Sequence, residues 1–333
     1  MNTLFLVGAA GHIPVLVQDV EHALRPRPGE VYLDCTAGLG GHAAALAKAM
    51  PGGVVVLNDM DPANLGGAAQ SVRSAAPSIR VVSIHGNFAD APRAIRELEL
   101  RADMVLADLG FASTQVDDGS RGLSFSREGP LDMRMDPRLA TTAADLVASL
   151  PEAELVGILR EFGEERQAGR VARAIIAARA RTAIRTTTEL ADLVRSVVPR
   201  ERGPGAIDPA TRTFQALRIA VNDEMGSLSA LLAAIREGAR AVAMGRPTWL
   251  NPGARVAIIA FHSLEDRPVK QAFRDLVSSS SAVDVTGGIV TAGEEEVRDN
   301  PRARSAKLRA IRIGSGPDGI GGGSVGSSPP SIR

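Results

Sequence analysis

Three aspartates, Asp34, Asp59 and Asp108, each close an apolar run, and the turn Asp34-Cys35-Thr36-Ala37-Gly38-Leu39-Gly40-Gly41-His42 follows the first of them. Glycines at such spacing let a backbone approach a ligand. The helix-like run Ala43–Met50 that follows offers free N–H groups and a positive dipole end to an anion. A second apolar run, Val54–Leu57, ends in Asn58-Asp59, where a carboxylate can accept both hydroxyls of a ribose. Together these residues describe an adenosine site.

The loop does not choose its ligand alone, because Gly38-x-Gly40-x-x-Ala43 also satisfies the dinucleotide fingerprint. Asp34 tips the choice. Its charge would repel a pyrophosphate, whereas the ammonium group of S-adenosylmethionine suits an acid and its carboxylate suits the helix N-terminus. A plain Gly-rich strand-to-helix turn is the structural alternative.

A third apolar run, Met104–Ala107, delivers Asp108-Leu109-Gly110 at what would be the carboxyl end of a parallel strand, where open sheets bind ligands. Beyond it, Pro130-Leu131-Asp132-Met133-Arg134-Met135-Asp136 has no helical or strand period and reads as an ordered functional loop or a salt-bridged knot. The run ending in Phe261-His262-Ser263-Leu264-Glu265-Asp266-Arg267 places Ser263 as a helix N-cap with acids in the first turn. His262 has no evident acidic partner in sequence. No nucleophile elbow surrounds it, so a hydrolytic triad is not expected.

Strand-like runs at 31–35, 54–58, 79–84, 103–108, 255–261 and 308–313 alternate with helical stretches, which predicts an α/β fold with a doubly wound, mostly parallel sheet. Nearly 150 residues separate the fourth and fifth runs, far more than one crossover requires. Helical spacing through Val147, Leu155, Leu159, Val171, Ile175, Leu190 and Val194 makes this an inserted helical subdomain. The expected organisation is a first part of the sheet domain at 1–115, an inserted helical subdomain at 116–213, a second part of the sheet domain at 214–313 and a disordered Gly/Ser/Pro-rich tail at 314–333. Phe214 to Met244 is expected as one long helix, and Ser278–Ser281 to open a loop resembling the tail.

The chain has 333 residues, 44% of them apolar, and a formal net charge of zero, so a nucleic-acid site must come from local patches. Two such patches exist. Residues 166–212 hold ten Arg against four acids, with Arg166, Arg170 and Arg173 at helical spacing, and residues 298–312, including Arg302 and Arg304, hold six basic residues against one acid. The single cysteine, Cys35, excludes an internal disulfide framework, and the scattered histidines show no metal-ligand spacing. No metal and no membrane segment are expected, and a reducing cytoplasm fits.

Read in order, further words join those above: His12-x-Pro14-Val15-Leu16, Asp59-x-Asp61-Pro62, Asn87-Phe88, Arg121-Gly122-x-Ser124-Phe125, Thr213-Phe214-Gln215-Ala216-Leu217-Arg218-Ile219 and Asn300-Pro301-Arg302-x-Arg304-Ser305-Ala306-Lys307-Leu308-Arg309. From about residue 12 to 313 the chain resembles the ribosomal RNA small subunit methyltransferase H family, bacterial enzymes that N4-methylate a cytidine of 16S ribosomal RNA in the decoding region. The resemblance implies a Rossmann-like class I methyltransferase fold, in which 1–115 and 214–313 form the methyltransferase domain and 116–213 recognises the substrate, with S-adenosyl-L-methionine as cofactor, held by Gly40, Gly41, His42, Asp59, Phe88, Asp108 and Gln115, and 16S rRNA within the small ribosomal subunit as partner. In physical terms Gly40, Gly41 and His42 would offer backbone N–H groups, Asp59 the ribose acceptor and Phe88 an apolar wall for adenine. Phe111-Ala112-Ser113-Thr114 and Asn58 depart from the family pattern, and the segment 278–298 looks shortened.

Cytidine N4 is a poor nucleophile because its lone pair is delocalised into the ring, so methylation needs in-line positioning and an acceptor for an amine hydrogen. Asp108 is the candidate catalytic residue. Carbon-5 methylation would need a thiol on the substrate side, which Cys35 in the cofactor turn does not provide. A nicotinamide dehydrogenase and a non-enzymatic ribosome-binding protein stay open as alternatives, as does the oligomeric state, a homodimer included.

Overall fold

The computed structural model describes residues 13–110, 118–200, 203 and 207–314. Eight strands form one sheet: β1 (Val31–Asp34), β2 (Val54–Asp59), β3 (Arg80–His85), β4 (Ala102–Asp108), β5 (Leu250–Ala260), β6 (Ala282–Asp284), β7 (Val290–Thr291) and β8 (Lys307–Ile313). The order is β3-β2-β1-β4-β5-β8-β6, with β7 also on β8. The first five run parallel, and β8 is antiparallel to β5, β6 and β7. Apolar runs such as Val54–Leu57 are the expected signature of parallel strands covered on both faces.

Helices α1 (Val17–Leu24), α2 (Gly41–Ala47) and α3 (Pro62–Ala75) cover one face, packing Val20, Leu24, Leu46, Ala68 and Val72 on Tyr32, Val55, Leu57, Met104 and Leu106. On the other face, α4 (Ala91–Glu97), a helix at Glu224–Ala243 and one at Ser263–Ser278 pack Ile95, Leu228, Leu231 and Phe273 on Leu33, Val56, Val105 and Val256. Side chains alternate between the faces along each strand, so Tyr32 and Leu33 enter different cores. The chain reverses its winding between β1 and β4. Both neighbours meet Asp34, paired with Leu57 on one side and Leu106 on the other, so a crevice opens over the carboxyl ends there.

Between β4 and β5 lie α5 (Ala143–Ser149), α6 (Glu152–Glu161), α7 (Ala168–Arg179), α8 (Thr187–Val197) and α9 (Ala210–Asn222). They build a third core from Val147, Leu155, Leu159, Val171, Ile175, Leu190, Val194, Phe214 and Leu217. The packing divides the chain later than Phe214: that residue and the rest of α9 belong to the helical core, and the change comes at Asp223. Nor is Phe214 to Met244 one helix. Asp223 takes the left-handed conformation (φ 48°), which Asp tolerates better than most residues, and α10 (Glu224–Ala243) starts anew onto the sheet.

Three further segments depart from the sequence reading. The helix α11 (Ser263–Ser278) is preceded by His262 rather than capped by Ser263, whose hydroxyl instead donates to Glu164 at 3.0 Å. The stretch after Ser281 is ordered into β6, β7 and α12 (Glu294–Asp299), because β8 offers both short strands a ladder that their own sequence does not advertise. The tail from 315 onward lies outside the described residues. Among the described residues no helix is long and apolar enough to cross a membrane.

Gly40 shows how tightly the first loop is pressed against its neighbour. It has φ 79°, and a Cβ there would lie 2.7 Å from Cα and 2.8 Å from the carbonyl oxygen of Ala68 in α3. Gly40→Ala is expected to lower stability by about 1–3 kcal/mol from strain, with a similar amount for the backbone that must move. Thermal unfolding checks this; an unchanged midpoint would show that α3 retreats freely.

Candidate functional site

The loop between β1 and α2 is sewn to the strand ends on both sides. Cys35 N–H donates to Leu106 (2.8 Å), Ala37 N–H to Asn58 (2.9 Å) and Gly38 N–H to the Asp59 carboxylate (2.7 Å). In return, Asp108 N–H donates to the Thr36 hydroxyl at 2.7 Å. Asn58, an odd residue by sequence, is fully buried, and its amide donates to the carbonyls of Cys35 (2.9 Å) and Gly86 (3.1 Å). It thereby locks the ends of β1 and β3 to β2, a role that only the sheet order makes visible.

One cleft at this switch point is lined by Gly38, Gly41, His42, Asp59, Phe88 and Asp108, together with Met135, Asn222, Glu224, Phe261, Glu265 and Arg302. Most of the residues expected at a cofactor site therefore come together. Gly40 does not line the cleft; its N–H is spent on Ala37 at 2.8 Å, and its place is decided by close approach to α3. Gln115 lies outside the described residues. Asp34 differs from its expected role too. It is buried behind the loop, where its carboxylate accepts from the Tyr32 hydroxyl (2.9 Å) and Thr36 N–H (3.2 Å). Burial pushes its carboxyl up to about 6, opposed by His42, Tyr32 and Thr36.

Asp59 stands at the carboxyl end of β2. One of its oxygens accepts from Gly38 N–H, and the other from Asp61 N–H (2.8 Å) and the Asn64 amide (3.3 Å). Burial raises its carboxyl above the usual range against those hydrogen bonds. A carboxylate oxygen accepts more than one hydrogen bond, so ribose hydroxyls can still be held. Phe88 supplies an apolar wall beside it.

Asp108 sits across the cleft with Oδ2 3.6 Å from Nε2 of His42. Its Oδ1 and both ring nitrogens of His42 are buried without a hydrogen-bond partner. Buried polar groups are normally paired, so these three atoms mark where a polar ligand group belongs. An ammonium fits Asp108. The donor set thus suits the aminoacyl and ribose parts of S-adenosylmethionine better than a pyrophosphate.

The opposite wall comes from the insertion and from β5. The 130–136 segment is a salt-bridged knot that also serves the cleft: Arg134 pairs with Asp132 (2.7 Å), Arg138 with Asp136 (2.6 Å), and Arg121 with the buried Asp61 (2.7 Å). Asn222 accepts from Met135 N–H (2.7 Å) and donates to Met133 (2.8 Å), which presents Met135 to the cleft. His262 does have acidic company. Glu265 lies 3.3 Å from its Nε2, and one ligand atom each of Glu224, His262 and Glu265 fall within 4.8 Å of one another, a grouping the sequence expectation of no metal did not foresee. Glu224 is already held by Arg218 at 2.7 and 2.8 Å. Burial pushes the Glu265 carboxyl up to about 7 and His262 down to about 4.

Of the expected RNA-binding residues, Arg170 and Arg173 lie exposed on α7, whereas Arg166 stands in the turn before it. Arg302 and Arg304 are exposed on the short turn at Pro301–Ser305, and Arg302 reaches the cleft. Cys35 lines the cleft floor. Burial and the neighbouring Asp34 push its thiol well up, which leaves little thiolate for attack.

Proteins called ribosomal RNA small subunit methyltransferase H are similar along most of the chain. The one from Pelobacter propionicus is 44% identical over 318 residues, covering 90% of this chain and 97% of that protein. The one from Syntrophotalea carbinolica is 46% identical over 319 residues, with the same coverage. The model of the MraW methylase family matches residues 9–313, and the chain belongs to that family.

Proposed function

We propose that the protein is an S-adenosyl-L-methionine-dependent methyltransferase that modifies N4 of a specific cytidine of 16S rRNA in the decoding region of the small ribosomal subunit, in the cytoplasm. The observation that carries the chemistry is the unpaired, buried Oδ1 of Asp108, a residue that lines one cleft with Asp59 and Phe88. The RNA substrate is suggested by the similar proteins, whose name specifies small-subunit ribosomal RNA.

When bound, the cofactor supplies an electrophilic methyl group on sulfonium. Asp59 and Phe88 would hold the adenosine, and Asp108 with His42 the aminoacyl end. That arrangement leaves the side of the cleft bounded by Leu109, Gly110, Met135 and Phe261 for a flat base. Asp108 closes β4 where the amine must enter, and by accepting an amine hydrogen its carboxylate would draw the nitrogen lone pair out of the ring. Mapping methylated cytidines in 16S rRNA by mass spectrometry tests the reading. A strain lacking the gene should lose one N4-methylated site and regain it on complementation; an unchanged map would sink it.

RNA would be gathered by the exposed arginines of the insertion. Replacing Arg166, Arg170 and Arg173 with Gln is expected to weaken small-subunit binding and to lower the salt slope by about 0.7–0.9 for each phosphate that is no longer neutralised. Cofactor binding should stay unchanged. Equal slopes for wild type and triple variant would remove these residues from the interface.

A further inference from the structure

We propose that Glu265, backed by His262, takes the proton released when the cytidine amine is methylated, an assignment that rests on the functional reading above. Glu265 lines the cleft from β5's carboxyl end, one strand from Asp108. The two ends are in contact. Asp108 pairs with Ile259, and a Cβ on Gly110 would lie 3.5 Å from the Phe261 ring.

Glu265 is rigidly aimed. Its Oε2 accepts from the N–H groups of Phe261 (2.8 Å) and His262 (3.3 Å), so the carboxylate is pinned and Oε1 is turned toward His262 Nε2 at 3.3 Å. The side chain is 5% exposed. Both nitrogens of His262 are buried without a hydrogen-bond partner, so the imidazole makes no hydrogen bond that would occupy Oε1. Glu224, the other carboxylate on this wall, is occupied by the Arg218 guanidinium and makes a poorer base.

The charges facing the pair come from several elements. Arg218 of α9 and Glu224 of α10 oppose each other beside Glu265, while Arg218 and Lys307 of β8 act on His262. Asp266 of α11 is engaged by Arg309 of β8 at 2.7 Å. Asp108 and Arg302 line the same cleft. Burial outweighs these influences and pushes the Glu265 carboxyl up to about 7, with Glu224 adding to the rise and the two backbone N–H groups and Arg218 opposing it. A base so placed is matched to neutral conditions. The imidazole, pushed down to about 4, is neutral there and places no positive charge beside the carboxylate.

The balance is simple. The amine nitrogen bonds the methyl carbon as the bond from that carbon to sulfur breaks and leaves its electron pair on sulfur. The nitrogen then holds one proton too many. That proton passes to Oε1 of Glu265, its N–H electron pair returning to nitrogen, and leaves to solvent through the cleft once the product departs.

Glu265→Gln keeps an oxygen for the two backbone donors and removes the base. At saturating cofactor and RNA, wild-type single-turnover methylation is expected to rise with pH through a limb near 7, because the carboxylate form is the active one. The variant should be slower by roughly 10²-fold and lack that limb. Calorimetry should show unchanged cofactor affinity. Infrared difference spectra of the cofactor-free protein should show a carboxyl titrating near 7 in wild type and not in the variant. A variant that retains both rate and limb overturns the proposal, and so does a wild-type rate that is flat from about pH 6 to about pH 8.5, which decides the matter even if the variant does not fold. A wild-type enzyme that forms no N4-methylcytidine fails at an earlier step and overturns the functional reading instead.

Discussion

Asp108→Asn is expected to slow single-turnover methylation by roughly 10²-fold or more at saturating S-adenosylmethionine, the lower range for a positioned acid–base group. The substitution keeps the size of the side chain and the backbone N–H bond to Thr36, so the loop is retained. What changes is that one buried carboxylate oxygen becomes an amide NH2, which donates instead of accepting, and that the charge 3.6 Å from His42 is lost. Cofactor affinity should also fall, since an ammonium loses its counter-charge. The two effects separate by concentration. A defect that vanishes once cofactor saturates would confine Asp108 to binding, and the amine hydrogen would then have to be accepted by another group. The pH limb assigned to Glu265 should survive in Asp108→Asn, which distinguishes a group that polarises the amine from one that takes its proton.

Asp59→Ala should produce the largest loss of cofactor affinity. Two ribose hydroxyls each lose a charged acceptor worth about 1.5–3 kcal/mol, which amounts to roughly 10- to 100-fold per bond. There is a structural cost as well. Gly38 N–H, Asp61 N–H and the Asn64 amide all rely on this carboxylate, and a buried donor left unpaired costs about 1–3 kcal/mol. Isothermal calorimetry reads the first effect and thermal unfolding the second. Unchanged affinity would take Asp59 out of the site. Because burial raises the Asp59 carboxyl, affinity in the wild type should weaken on acidification from a higher pH than an ordinary carboxylate would give; Asp59→Ala should abolish that dependence.

Much of this protein was legible in its linear order. Strands β1, β2, β4 and β5 announce themselves as apolar runs, since a strand covered on both faces must be apolar whatever surrounds it, while β3 and β8 show as shorter apolar segments broken by Ser83 or by Arg309 and Arg312. The glycine turn, and the acids at the ends of β2 and β4, are local signals too, because a strand's last residue and the turn after it are neighbours in sequence. Helical spacing found the buried Val147, Leu155, Leu159, Val171 and Ile175 for the same reason. Tertiary structure decided which acid lines the cleft. Asp34 and Asp108 look alike as strand ends, yet the Tyr32 hydroxyl and Thr36 N–H claim Asp34 behind the loop while Asp108 keeps an oxygen unpaired in the cleft. It also broke the 214–244 stretch at Asp223 and gave β6 and β7 a partner in β8. The pairing of His262 with Glu265 was present within a few residues of sequence, but its chemistry was not. That depends on Arg218 from α9, Glu224 from α10, Lys307 from β8 and the exclusion of water, and burial and charge at a point are sums over segments that only folding brings together.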